Sequence, residues 1–389
     1  MRLAGLVALA ALLAAPVAAG AATCRPVVER VAPPVNPCTG RARVRLSAVG
    51  DVLLHRSLQA HGLASANGYR EMWRYAEPYF RMADISYANL EGPVARGVNG
   101  SFTAVRDPGP RLDDNVYTGY PRFNYHPRIA GQLKAAGIDV VSTANNHAMD
   151  RGALGVDRTI DALKAAGLAY TGTIKKGAAR DFVAYVASPA GAVAFIACSY
   201  DTNGISDPNR QVLLCYRDRA ELLALVRREA ARPDVAGVIV TPHWGGEYSH
   251  APDANQKSLA RALATAGATA VIGTHPHVVQ PWEWLPGAGG TKTLVIYSTG
   301  NFVSGQLAPM NRRTGLLAML EMCRAPSGKL AVANAGGLPM LMNRTQNGPL
   351  LTPAGSTSGP VSDTARALVA RHVTQAGLTV DFRCSEQAE

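Results

Sequence analysis

The chain has 389 residues, 47% of them hydrophobic and 17% charged, with 38 Gly and 25 Pro. That composition excludes a disordered, collagen-like or coiled-coil chain, and the length allows two ordinary domains or one large α/β domain. Lys and Arg outnumber Asp and Glu by 39 to 28, a net charge of +11 that favours anionic partners. The Arg residues are scattered without any RNP-like, zinc-finger or basic-arm pattern, so nucleic acid is not expected among them.

In chain order, Arg2 precedes an apolar run over 3–19, and the small residues Ala19-Gly20-Ala21 follow. Residues 1–22 therefore read as a secretory signal peptide. An uncleaved anchor is the alternative, because about 17 apolar residues just span a bilayer. The chain is expected to be exported, to the periplasm, the cell surface or the medium. All six Cys lie beyond the cleavage point, and an even count in an exported chain favours disulfides. Pairing neighbours along the sequence gives Cys24–Cys38, Cys198–Cys215 and Cys323–Cys384.

Residues 23–43 are a Pro-rich leader, 44–344 form the body, and 345–389 form a tail with a closing helix. Hydrophobic periodicity predicts strands over 44–49, 138–143, 192–197, 235–241, 268–273 and 294–298. It predicts helices over 127–136, 154–166, 220–231, 256–266 and 362–372. Residues 316–322 and 330–333 read as a late hairpin, and 92–125 as a long loop beside the functional site. Short apolar strands alternating with helices mean an α/β fold. The late strands have little helix between them, so the sheets are expected to be mixed.

The strands end in the same way. Asp51 follows the first; Asn146 and His147 follow 138–143; His243 follows 235–241; His275 and His277 follow 268–273. Loops beyond the carboxyl ends of strands are where α/β sheets gather their sites. Two neighbouring divalent ions need imidazole nitrogens, hard carboxylate oxygens and one carboxylate shared between them. Asp51 and Glu91 supply the carboxylates. His275-Pro276-His277 supplies two imidazoles which, in an extended segment, point the same way. Asn146 offers an amide oxygen, which frees His147 to act as a general acid. Each piece alone is ordinary, since Gly50-Asp51 and Asn145-Asn146 are common turn pairs; the ordered set is not. Manganese, iron or zinc suit such mixed ligands.

The stretches Gly50-Asp51-Val52-Leu53-Leu54-His55-Arg56, Asn89-Leu90-Glu91-Gly92, Asn145-Asn146-His147-Ala148-Met149-Asp150-Arg151-Gly152, His243-Trp244-Gly245-Gly246-Glu247-Tyr248, Thr274-His275-Pro276-His277 and Ser298-Thr299-Gly300-Asn301-Phe302 together resemble the CapA family, associated with poly-γ-glutamate capsule synthesis. That family is similar to the calcineurin-like metallophosphoesterases. The resemblance covers about 44–305. It implies a four-layer α/β/β/α sandwich and two divalent metal ions. Asp51, Glu91 and His277 would hold one ion, with His55 a further candidate ligand. Glu91, Asn146, His243 and His275 would hold the other. His147 would protonate the leaving oxygen. Arg56, Arg151 and Glu247 would bind substrate, with Glu247 alternatively orienting His147. Two departures stand out: Leu53 occupies a place the phosphoesterases give to His, and Glu91 stands where they have a bridging Asp. The expectation is an exported metal-dependent hydrolase of capsule or envelope polymer metabolism, using phosphoesterase chemistry. The alternatives are an amidase or transferase on an anionic γ-glutamyl polymer, and a non-catalytic assembly component. The expected partners are an anionic polymer or phosphorylated substrate and an envelope-bound synthesis machinery.

Overall fold

The structure, a computed structural model, describes residues 38, 42–354 and 359–373. The anticipated signal peptide, most of the leader, Cys24 and Cys384 lie outside the described residues. No helix among the described residues is long and apolar enough to cross a membrane.

The chain opens with β1 (Arg43–Leu53), three short helices α1 (Arg56–Ala64), α2 (Arg70–Trp73) and α3 (Glu77–Met82), and then β2 (Ile85–Leu90). Next come α4 (Arg128–Ala136), β3 (Val140–Ser142), α5 (Gly152–Ala165), β4 (Ala169–Thr171), β5 (Val183–Ser188), β6 (Gly191–Ser199) and α6 (Arg219–Ala231). The second half runs β7 (Val235–His243), α7 (Ala254–Ala266), β8 (Ala270–Ile272), β9 (Trp282–Pro286), β10 (Lys292–Ile296), β11 (Asn301–Ser304) and α8 (Met310–Arg313). It closes with β12 (Thr314–Arg324), β13 (Leu330–Thr345), β14 (Gly348–Pro353) and α9 (Pro360–Val373).

Two mixed sheets result. The first has the order β14-β13-β12-β1-β2-β3-β4, with β11 also paired to β1. The second has the order β5-β6-β7-β8-β10-β9. Parallel pairing holds β1–β4 together and likewise β6, β7, β8 and β10; the outer strands join antiparallel. The alternation of side chains explains the layers. In the second sheet Val193, Phe195, Ile239, Leu294 and Ile296 face Val44, Leu46, Tyr87 and Val140 of the first. Their neighbours Ala194, Ile196, Val238, Val240 and Val295 face the other way, onto Leu222 and Val226 of α6 and Leu259 and Leu263 of α7. The outer face of the first sheet packs on Trp73, Phe80, Ile129 and Leu133 of α2–α4. The fold is therefore the expected four-layer α/β/β/α sandwich, and the strands read as unbroken apolar runs because both faces are covered.

The structure differs from the sequence reading in three places. Cys38 pairs with Cys323, not with Cys24, and Cys323 accordingly does not pair with Cys384; Cys198–Cys215 forms as expected. Neighbours along the chain were the wrong guide because β1 lies antiparallel to β12 with Arg43 opposite Cys323, which sets the start of β1, five residues after Cys38, against the end of β12. Second, the stretch after 345 is not merely a tail: β14 pairs antiparallel with β13, and Val369 and Val373 of α9 enter the core between the sheets. Third, the sequence reading does not place β2, β4, β5, β9, β11, α1–α3 or α8. Every residue of β2 is buried, so it shows no alternation, and α2, α3 and α8 span only four to six residues, too few to show a stripe.

Candidate metal centre

The parallel strands of both sheets end on one side of the sandwich, and the candidate residues collect there. Asp51 lies near the end of β1, Glu91 directly follows β2, Asn146 and His147 follow β3, His243 ends β7, and His275 and His277 follow β8. The site therefore straddles the two sheets. Gly50 makes this possible, since a Cβ there would overlap the Gly300 carbonyl oxygen; with that close approach Asp51 lies opposite Asn301 of β11.

Three sets of side chains have ligand atoms within 4.8 Å of one another: Asp51, Glu91 and His277; Glu91, His243 and His275; and Glu247, His275 and His277. Glu91 belongs to the first two. Its oxygens are buried without a hydrogen-bond partner, and Oε1 lies 3.7 Å from His243 Nε2 and 4.0 Å from His277 Nε2. Around His243 Nε2 crowd Asn146 Oδ1 at 2.9 Å and His275 Nδ1 at 3.2 Å. His243 Nδ1 is 2.9 Å from Thr274 Oγ1; donating there leaves Nε2 with a lone pair. His277 Nδ1 meets two acceptors, Asp51 Oδ2 at 3.1 Å and Asn301 Oδ1 at 3.0 Å. Asn89 Nδ2 donates to Asp51 Oδ1 at 2.8 Å.

This is a concentration of lone pairs with too few protons to satisfy them. Burial, then the nearby Asp51 and Glu247 charges, pushes the Glu91 carboxyl well above the ordinary range. Burial and the neighbouring imidazoles hold His243 well below its ordinary value, and burial and His277 bring His275 down to about 3. Neutral imidazoles facing an unpartnered carboxylate are a fit for divalent cations, which would offset the cost of a buried acidic group.

The other candidates divide. His147 Nδ1 is 2.7 Å from Asp150 Oδ2, and its ring packs edge-on to Phe123 with centroids 4.8 Å apart. Asp150, three residues on, is thus the group that orients it, and that i, i+3 spacing was the available signal. Glu247 joins His275 and His277 instead, and is exposed. His55 belongs to none of the three sets; its Nδ1 lies 3.1 Å from the Gly305 N and 3.2 Å from the Leu53 carbonyl oxygen, so that nitrogen faces the backbone. Arg56 pairs with Asp114, both well exposed. Arg151 is fully buried and donates to the carbonyls of Asp150, Val116 and Arg122 and to Thr118 Oγ1. It braces the 92–125 loop and keeps no exposed donor for a substrate. His275 and His277 do not lie in an extended segment either: φ is +96° and +58°, a left-handed turn that lets both rings point into the cavity. Asn89, Asn203, Asn301, Tyr200 and Tyr248 complete the surroundings. Tyr200 lies 4.4 Å from the His275 ring, and Asn203 Oδ1 accepts from Asn146 Nδ2 at 3.1 Å, turning the Asn146 oxygen toward His243.

A family model described as bacterial capsule synthesis protein PGA_cap matches residues 45–306. The capsule biosynthesis protein CapA of Bacillus anthracis is 28% identical over 274 residues, 68% of this chain and 60% of that protein. The PGA biosynthesis protein CapA of Bacillus subtilis (strain 168) is 27% identical over 262 residues, 67% of this chain and 63% of that protein. The chain thus spans less than two thirds of the length of these relatives. A solved structure of a hypothetical protein from Thermus thermophilus is 18% identical and overlaps 76% of this chain and 99% of that one, at a TM-score of 0.43. The fold assignment rests on the sheet topology rather than on that overlap.

Proposed function

Because the chain belongs to the bacterial capsule synthesis protein family PGA_cap, we propose that it is an exported, metal-dependent hydrolase of capsule or envelope polymer metabolism that cleaves a phosphoester. The observation that carries the reading is Glu91, a buried carboxylate with two unpartnered oxygens shared between the Asp51–His277 and His243–His275 sets. Two divalent ions held by Asp51, Glu91 and His277 and by Glu91, Asn146, His243 and His275 would supply Lewis acidity and a nucleophilic water at neutral pH.

The rest is the chain's own work. Asp150 accepts from Nδ1 of His147, so Nε2 is the atom left to exchange a proton with the departing oxygen. The Phe123 edge fixes the ring plane, and Asp150 also accepts the Phe123 N–H, so acid and wall are set together. Tyr200 beside His275 and Tyr248 beside His277 wall the cavity and limit water around the reacting bond. The disulfides support an exported location.

A second reading is hydrolysis or transfer of a γ-glutamyl amide. The +11 charge and the relative described as a PGA biosynthesis protein favour it, since the same ligands suit polarisation of a carbonyl. The test is metal analysis of protein purified without chelator, followed by parallel assays on an aryl phosphate and on poly-γ-glutamate. Roughly two equivalents of metal, and aryl phosphate turnover that falls about 100-fold or more in His147→Ala with metal retained, are expected. Absence of metal and of both activities refutes the hydrolase reading in favour of a non-catalytic assembly component.

A further inference from the structure

Of the arginines near the site, Arg56 is paired with Asp114 and Arg151 is buried on carbonyls. Arg312 of α8 is placed differently. Its guanidinium carbon lies 3.4 Å from the centre of the Tyr248 ring, and that ring lies 6.0 Å from His277. The guanidinium therefore stands one aromatic ring away from a candidate ligand.

Its backbone is tied to the same ligand. The Arg312 carbonyl accepts from Asn301 Nδ2 at 2.9 Å, while Asn301 Oδ1 faces His277 Nδ1. Gln306 links the other edge, with Oε1 accepting from Asn301 Nδ2 at 3.2 Å and Nε2 donating to the Tyr248 hydroxyl at 3.4 Å. Glu247, the residue before Tyr248, is grouped with His275 and His277 instead. Among the described residues no carboxylate pairs with Arg312, and its Nε is buried without a partner. The adjacent Arg313 shows the contrast: it donates to Met342 O and to Asn343 Oδ1 and is spent on the fold. Stacking on an aromatic face satisfies the flat side of a guanidinium, but leaves its donors in the plane.

We propose that Arg312 is a positioning residue that takes an oxyanion of the substrate, phosphate or carboxylate, in the plane of its guanidinium, with Tyr248 holding that plane beside the metal centre. The inference deepens the function proposed above and rests on it, and it names the class of group that the substrate must carry next to the reacting bond.

The test is calorimetric titration of the full chain, with its metal, using inorganic phosphate in one arm and a γ-linked glutamate trimer in the other. Tighter binding of one probe identifies the source of the oxyanion. Arg312→Gln should weaken the preferred probe roughly 10–100-fold, the range of a charge-assisted bidentate contact, without changing metal content or melting temperature. Arg312→Lys should recover phosphate better than carboxylate, since a point charge replaces a planar fork. Arg366→Gln, the same charge change on α9, should leave binding unchanged. Should Arg312→Gln fail to fold, Tyr248→Leu, which frees the guanidinium plane, should weaken binding several-fold.

Binding of both probes within about twofold of wild type in Arg312→Gln, or in Tyr248→Leu as its substitute, overturns the inference. So does wild-type protein that binds neither probe. Metal retained with probe binding indifferent to Arg312 overturns this inference and leaves the hydrolase reading standing. Probe binding lost with Arg312 in a protein that holds no metal does the reverse.

Discussion

Replacing Glu91 with Gln should stabilise the metal-free protein and remove most of the stabilisation that metal gives. The Glu91 oxygens are buried and unpartnered, and burial, Asp51 and Glu247 raise its carboxyl well above the ordinary 4.5. A group raised on folding contributes most below its unfolded value, and that contribution is lost as pH rises toward the folded value. At pH 7 the loss cannot exceed the cost of protonating a carboxyl of ordinary value 4.5, which is about 3.4 kcal/mol. Gln has nearly the same shape and no charge to lose. In EDTA at pH 7, Glu91→Gln should therefore gain about 1–3 kcal/mol, or several degrees in melting temperature. The gain should shrink as pH falls toward 4.5. With manganese or zinc at about a hundred times its Kd, wild type should gain roughly 2.7 kcal/mol that the variant does not. The assay is a thermal melt in EDTA and in metal, repeated from pH 5 to pH 8. A variant less stable than wild type in EDTA, or equal metal stabilisation of both, would refute the argument that this carboxylate waits for a cation.

Asp150→Asn should lower kcat by roughly 100-fold or more, with metal content unchanged, because His147 loses the acceptor that sets its tautomer. Asp218 is pushed up by burial but held below its ordinary value by Arg217, the Leu214 N–H and Arg210. Its stabilisation is present above about 3.8 and lost as pH falls through the lower folded value, so Asp218→Asn should lower the urea midpoint at pH 7 and differ progressively less from wild type below pH 4. Peptide mapping without reductant should recover Cys38 linked to Cys323 and Cys198 linked to Cys215, and a Cys24–Cys38 peptide would contradict the fold. Replacing Cys38 and Cys323 together with Ser should cost roughly 2–4 kcal/mol in a denaturant titration.

The sequence by itself determined the long amphipathic helices, the hairpin of β12 and β13, the mixed α/β class and the six candidate ligand positions of the metal centre, the sandwich being what the family resemblance implied. Each helix of ten or more residues shows its own stripe, and Asp51, Asn146, His243, His275 and His277 follow apolar runs that can be read locally, whereas Glu91 follows β2, which was not legible as a strand. What only the tertiary structure decided is everything that depends on two distant segments meeting. Asp150 rather than Glu247 orients His147, because Glu247 folds over His275 and His277. Arg151, flanking the motif, turns inward to carbonyls, while Arg312, in no motif, is brought onto Tyr248. Cys38 finds Cys323 across an antiparallel register. Periodicity records how a residue relates to its own element; which partner stands opposite is set by sheet order and strand register, which a single chain of letters does not carry.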